Sequence, residues 1–344
     1  MSLLNSLGFI LRHPLNRRRP GAALVRWLRW QVGSRLLPGP VLAPFVNDVR
    51  LIVQPGMTGA TGNVYCGLHE FEDMALVLHT LRPGDLFVDI GANVGSYSML
   101  GVGAGAQCLS IEPIPSTFAW LTRNIAVNGL GDRVQALNLG LGRGEGRLRF
   151  TGGLDTINHV LAEDEVASDA LEVPVRALDA VLDGRSPTLI KMDVEGFESE
   201  VLAGAGRALA DPALLGVIME LNGSGARYGF DEDALHRSLL GRGFETFRYR
   251  PFERVLEPLD GARSGGGNTL YVRDAGRLAE RVRSAPRFRL GTGMEMWVWG
   301  WGVGVSAGRK SPSPVLVPAP CGDDGGAKPS QRGCGEPLIR PMSQ

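Results

Sequence analysis

Thirteen residues, LFVDIGANVGSYS from Leu86 to Ser98, constrain this chain more than any others. Leu86, Phe87, Val88 and Ile90 make an apolar run of strand length. A glycine-bearing turn follows, and then residues that open a helix. Gly91 lets the chain reverse where a side chain would clash, and Gly95 lets a helix N-terminus approach a bound group. Asp89 puts a carboxylate inside the apolar strand, which is costly without hydrogen-bond donors. The N–H groups of the turn are the expected donors, so Asp89 is read as a brace for the loop. Strand, tight turn and helix in this order build a nucleotide site at the carboxyl end of the first strand of an α/β sheet. The dinucleotide fingerprint Gly-x-Gly-x-x-Gly is absent, because Gly91 and Gly95 are separated by Ala92, Asn93 and Val94.

Two later stretches extend the pattern. Cys108 to Ile111 reads as a second short strand, with Glu112 at its carboxyl end. A carboxylate there can accept hydrogen bonds from both ribose hydroxyls of a nucleoside lying over the first loop. An NAD enzyme uses the same position, so Glu112 specifies adenosine and leaves the cofactor open. Phe118, Leu121 and Ile125 then fall on one helix face, which Asn128-Gly129 ends. Further on, Leu189, Ile190 and Met192 form a strand from whose end Asp193 and Glu195 emerge, before Phe197, Val201 and Leu202 start a helix.

The Asp-x-Gly-x-x-x-Gly of Asp89 to Gly95 resembles motif I of class I S-adenosylmethionine methyltransferases. Together, VDIGANVGSYS, IEP and IKMDVEGFE resemble the FkbM family of S-adenosylmethionine-dependent methyltransferases, over Val46 to Asp274. The resemblance implies an α/β fold: a doubly wound, Rossmann-like sheet of seven mostly parallel strands, the last antiparallel, with helices on both faces. It implies S-adenosyl-L-methionine as cofactor and O-methylation of a sugar, glycan or natural product. On this reading Asp89, Gly91, Asn93, Gly95, Glu112 and Asp193 bind the cofactor. Asn138, near the end of a third strand over Val134 to Leu139, contacts adenine. Asp193 is the first choice of general base, because the end of the fourth strand faces the methyl group in this architecture. Glu195 and His159 are further catalytic candidates, with Glu220 at the end of a fifth strand, Leu215 to Leu221. Glu195 has an alternative role as a brace for the following loop, and His159 as a solvated loop histidine. No metal is called for, since no dense Asp/Asn cluster occurs.

Four segments are expected. Residues 1–44 form a basic helical arm with Arg12, Arg17, Arg18, Arg19, Arg26, Arg29 and Arg35 and no acidic residue. It reads either as an amphipathic helix on an anionic membrane or RNA, or as a helix that packs Trp27 and Trp30 on the core and solvates its arginines. Residues 45–84 form an entry layer, with strands at Val49 to Val53 and Asn63 to Tyr65, then a helix carrying Phe71, Met74, Leu78 and Leu81. In this layer His69, Glu70 and Glu72 are either lining for a substrate mouth or surface residues. Residues 85–274 form the methyltransferase domain. Residues 275–344 form a low-complexity tail expected to be disordered, in which Trp297, Trp299 and Trp301 alternate with smaller residues.

Composition bounds the function. The 344 residues are 44% hydrophobic, enough for one large core. Formal net charge is zero, which argues against bulk attraction to nucleic acid. Cys66, Cys108, Cys321 and Cys334 lack metal spacing and fit a reduced, cytoplasmic chain. No apolar run approaches the ~20 residues of a membrane span, and the N-terminus lacks the uninterrupted apolar region of a signal peptide. The leading expectation is therefore a methyltransferase for a small-molecule or glycan acceptor. The alternatives are an RNA methyltransferase using the basic arm, and a non-catalytic adenosine-nucleotide-binding protein.

Overall fold

The computed structural model describes residues 3–152, 158–162, 165, 167, 169–296 and 315–316. The run Leu86–Ile90 is buried at all five positions, as a strand covered on both faces must be. It is β1, the centre of an eight-stranded sheet. The others are β2 (Gln107–Ile111), β3 (Val134–Leu137), β4 (Leu189–Met192), β5 (Gly216–Glu220), β6 (Glu245–Arg250), β7 (Val255–Pro258) and β8 (Asn268–Val272). Their spatial order is β7-β6-β8-β5-β4-β1-β2-β3. The strands from β3 to β5 pair in parallel, whereas β8, β6 and β7 join antiparallel. This is the expected α/β architecture with one more strand than the seven anticipated, because β7 returns as a hairpin along β6.

Alternation along the parallel strands divides the core into two layers. Phe87, Cys108, Leu189 and Ile218 face one layer. It is covered by helices Phe71–Thr80, Ser96–Gly103, Pro115–Val127 and Ala275–Arg283. Val88, Ile90, Leu109, Ile190 and Met192 face the other, beneath helices Leu178–Leu182, Glu198–Ala203 and Glu232–Gly241. The connection from β3 to β4 adds a small sheet of Gly140–Leu141, Gly146–Phe150 and Leu171–Arg176 at the carboxyl edge.

The N-terminal layer differs from expectation in two places. Asn63 to Tyr65 lies within a helix, Thr58–Cys66. Ala60, Asn63 and Cys66 are buried at a spacing of three, which is helical and not alternating. Val41 to Pro44, placed in the helical arm, instead belong to the strand Val41–Val46, which forms a hairpin with Val49–Val53. Helix Pro20–Leu36 does end before Pro38.

Residues 275–294 belong to the folded unit and not to the tail. Asp274, the expected end of the domain, is the N-cap of helix Ala275–Arg283 and accepts a hydrogen bond from the Arg277 N–H. Leu278 and Val282 of that helix, with Phe288 and Leu290 beyond it, are buried, and Arg281 pairs with Asp85 at 2.5 Å. Each such side chain contributes about 1.5–3 kcal/mol by leaving water. Ending the chain after Asp274 is therefore expected to remove an amount comparable to the whole stability of a domain. Loss of the cooperative unfolding transition in calorimetry would register it. Val315–Leu316 pairs with Val41 and Leu42 of the hairpin, while Trp297, Trp299 and Trp301 lie outside the described residues.

Candidate active site

The turn after β1 reverses through left-handed backbone at Gly91 (φ +73°), Asn93 (φ +51°) and Gly95 (φ +91°). The Gly91 and Ala92 N–H groups donate to the Ile111 carbonyl at 3.0 and 2.9 Å, which ties the turn to the end of β2. Gly91 is required for a second reason. A Cβ there would lie 1.9 Å from the Asp193 carbonyl oxygen, so the first and fourth strand ends meet at this position.

Glu112 stands at the end of β2, almost fully buried. One carboxylate oxygen accepts from the Asn93 N–H and the other from the Ile114 N–H, both at 2.9 Å. Burial pushes its pKa up to about 7 against these hydrogen bonds. Asn93 also accepts from the Val94 N–H through its side chain, at 2.7 Å. Asn138 donates to the carbonyls of Glu112 and Pro113 at 2.9 and 3.0 Å and is not on the cavity wall. Through these bonds it fastens the turn that carries Glu112.

Asp89 does not brace the turn's N–H groups as expected. It lies opposite Ser110 of β2 and Lys191 of β4. Its Oδ2 accepts from the Ser98 hydroxyl at 2.6 Å, and Ser98 also bonds Ser110 at 2.7 Å. Burial drives the Asp89 carboxyl above the usual range, with Lys191 and Ser98 opposing. Lys191 is itself buried, and its Nζ donates to Asp193 Oδ2 at 2.9 Å. The same Nζ lies 5.1 Å from the centre of the Tyr97 ring. Burial alone would lower the Lys191 pKa, but Asp193, Asp89 and Glu70 outweigh it and raise it.

Beyond Asp193 the chain enters a strained turn, with Glu195 at φ +54° and Gly196 at φ +100°. The brace of this turn is Glu198, whose Oε1 accepts from Val194 and Gly196 N–H at 3.2 and 3.4 Å. Bracing this turn is the alternative role considered above for Glu195. With its backbone held by Glu198, Glu195 is left on the cavity wall, and burial followed by repulsion from Asp193 and Glu220 pushes its pKa up to about 7. Glu220 is raised in the same direction, by burial and then Asp193 and Glu70.

A cavity of about 300 Å³ joins these parts. Gly91, Asn93, Glu112, Asp193 and Glu195 line it, and so do His69 and Glu70 of the entry layer. Tyr97 closes that side by donating to Glu70 at 2.8 Å. His159 does not line the cavity, although its neighbours Asn158 and Val160 do. It is buried, with Nε2 2.9 Å from Glu165 Oε1, so it is not the solvated histidine considered above. Lys191 and Glu198 were missed in the sequence. The only signals were a lysine within an apolar strand and a glutamate three residues after Glu195.

The donor set suits an adenosyl group. A carboxylate offers about four lone-pair positions, and the two N–H groups on Glu112 leave room for both ribose hydroxyls. Gly91 keeps the space beside Asp193 free of a side chain. S-adenosylmethionine, as the nucleoside-bearing cofactor implied by the resemblance, thus fits the residues present.

Comparison with known proteins agrees. Residues 89–246 match the methyltransferase FkbM domain model, a narrower span than Val46 to Asp274. Methyltransferase 1 of Beauveria bassiana is 32% identical over 149 residues, 36% of this chain and 59% of that protein. Hexuronic acid methyltransferase AglP of Haloferax volcanii is 30% identical over 158 residues, 41% of this chain and 58% of that protein. The chain therefore spans less than two thirds of these relatives. Among solved structures, methyltransferase FkbM from Methylobacillus flagellatus KT aligns with 62% of this chain and 52% of its own, at 21% identity and a TM-score of 0.37. The loop at Gly91, the carboxylate at Glu112 and the turn after Asp193 all lie within the span that is similar to the methyltransferase FkbM domain, whose family uses S-adenosylmethionine.

Proposed function

We propose that this chain transfers a methyl group from S-adenosylmethionine to an oxygen of a sugar, glycan or natural-product acceptor. The observation that carries this reading is the division of labour between two carboxylates on one cavity wall. Asp193 is fixed by the ammonium of Lys191 at 2.9 Å, while Glu195 has no cation bonded to it among the described contacts and is pushed up to about 7. A carboxylate fixed by a cation beside one without such a bond separates a positioning group from a proton acceptor.

When bound, the cofactor supplies an electrophilic methyl carbon on a sulfonium. The protein's task is then orientation: the acceptor oxygen must lie about 3 Å from that carbon, opposite the sulfur. Glu112 and the Gly91 turn hold the nucleoside end. Asp193 would orient the acceptor hydroxyl, and Glu195 would take its proton. Glu195 thereby replaces Asp193 as first choice of base, because the Asp193 carboxylate is already held by the Lys191 ammonium. A relative named for hexuronic acid supports a carbohydrate acceptor.

Transfer of a radiolabelled methyl group to a panel of hexoses, uronic acids, phenolic aglycones and amines tests the reading. Label is expected on an oxygen of at least one of them. Label found only on nitrogen acceptors, or none with cofactor bound, would remove it. The pH dependence has a definite sign. Protonated Glu195 cannot accept a proton, so kcat should fall as pH drops through about 7 and level off above it. A profile flat from pH 5 to 9 would exclude Glu195 as the base.

A further inference from the structure

Helix Pro20–Leu36 is apolar on two sides. Its inner side packs Ala23 with Ile10, Cys66 and Trp27. There Arg26 turns inward as well, donating to the Tyr65 carbonyl at 3.0 Å and to Asn16 Oδ1 at 2.7 Å. Its outer side carries Val25, Leu28, Val32 and Leu36, exposed by 46%, 45%, 54% and 73%. Their spacing of three, four and four places them on one stripe. Arg29 and Arg35 flank the stripe, are exposed, and have no carboxylate partner among the described residues. Arg12, Arg17 and Arg19, also exposed, add charge nearby, and the first acidic residue of the chain is Asp48.

A solvated helix face is ordinarily polar. A stripe of aliphatic side chains edged by guanidinium groups matches an interfacial helix instead. The aliphatics enter the boundary between headgroups and acyl chains, while the arginines meet lipid phosphates. We infer that this helix seats the chain on an anionic phospholipid surface, lying in the interface without crossing it. With Arg26, Arg29 and Arg35 along it, the helix is not apolar enough to span.

Charge and side-chain type favour lipid over the other occupants. RNA surfaces stack bases on aromatic rings and put cations under the backbone. Here the outward residues are aliphatic, and Trp27 and Trp30 pack toward the core. A second copy meeting this face about a two-fold axis would bring arginine against arginine. The inference is independent of the catalytic reading, because none of these residues lines the cavity.

Co-sedimentation of the full chain with vesicles tests it. The chain is expected to pellet with equimolar phosphatidylcholine and phosphatidylglycerol, but not with phosphatidylcholine alone. High salt should weaken the binding. Val25→Asp with Val32→Asp should lower the apparent affinity by about tenfold or more. Arg29→Glu with Arg35→Glu should do so by about tenfold or more. Unchanged circular dichroism and S-adenosylhomocysteine affinity would confirm that both variants fold. Wild-type protein that stays in the supernatant, or an aspartate variant that pellets like wild type, would overturn the proposal. So would binding of an RNA oligomer that depends on Arg29 and Arg35 but not on Val25 and Val32, which would reassign the face.

Discussion

Replacing Glu195 with glutamine is expected to lower kcat by about 10²–10⁴-fold, the range for removal of a positioned general base, with S-adenosylhomocysteine affinity nearly unchanged. The substitution keeps the shape and the left-handed backbone at φ +54°, and it removes one of the carboxylates that repel each other around Asp193. Stability should therefore hold or rise. Glu195→Gly sharpens the point. A left-handed non-glycine residue costs on the order of 1–2 kcal/mol, which glycine recovers, so this variant should be inactive without loss of stability. A structural role for Glu195 predicts the reverse: activity and stability falling together. Single-turnover rates on the best acceptor, with thermal unfolding of both variants, separate the two.

Gly91→Ala should have a comparably large effect by a different route. The added Cβ would sit 1.9 Å from the Asp193 carbonyl oxygen, at a φ of +73°. The neighbour is backbone and cannot rotate away. Left-handed strain costs about 1–3 kcal/mol and overpacking about 1–3 kcal/mol more. The end of β1 must then move away from the end of β4, which opens the site between Glu112 and Asp193. Calorimetry should report a loss of cofactor affinity of about 10²-fold or more, on the scale of 1.4 kcal/mol per factor of ten. A chain carrying Gly95→Ala should fare better on packing grounds, since its Cβ would meet the flexible end of Leu121.

These expectations rest on parts of the site that differ in how legible they are. The Gly91 turn, the strand ends at Glu112 and Asp193, and the parallel sheet could be read directly, because strands buried on both faces leave continuous apolar runs and their ends hold the polar residues. The partnerships of Asp89 could not. Its place opposite Ser110 and Lys191 depends on strand register, which one strand's sequence does not carry. The bonds of Asn138 and Glu198 are illegible for a related reason. Each satisfies backbone groups of a neighbouring turn, and such needs become visible only when the turn has a shape. The helix after Asp274 was hidden by its basic composition, although Asp274 as cap and Leu278 with Val282 one turn apart were signals of it. Asn63 to Tyr65 looked extended because three residues are too few to distinguish a period of two from one of 3.6.

We propose that the Gly91 turn and Glu112 together hold the adenosyl group of S-adenosylmethionine. Calorimetric titration of the purified chain with S-adenosylhomocysteine, beside Glu112→Ala and an NAD control, tests it most directly. Micromolar or tighter binding is predicted for the wild type, about ten- to a hundredfold weaker for the variant through loss of hydrogen bonds to a charged acceptor, and none for NAD. Binding unaffected by Glu112→Ala, or absent from a folded wild-type sample, would contradict it.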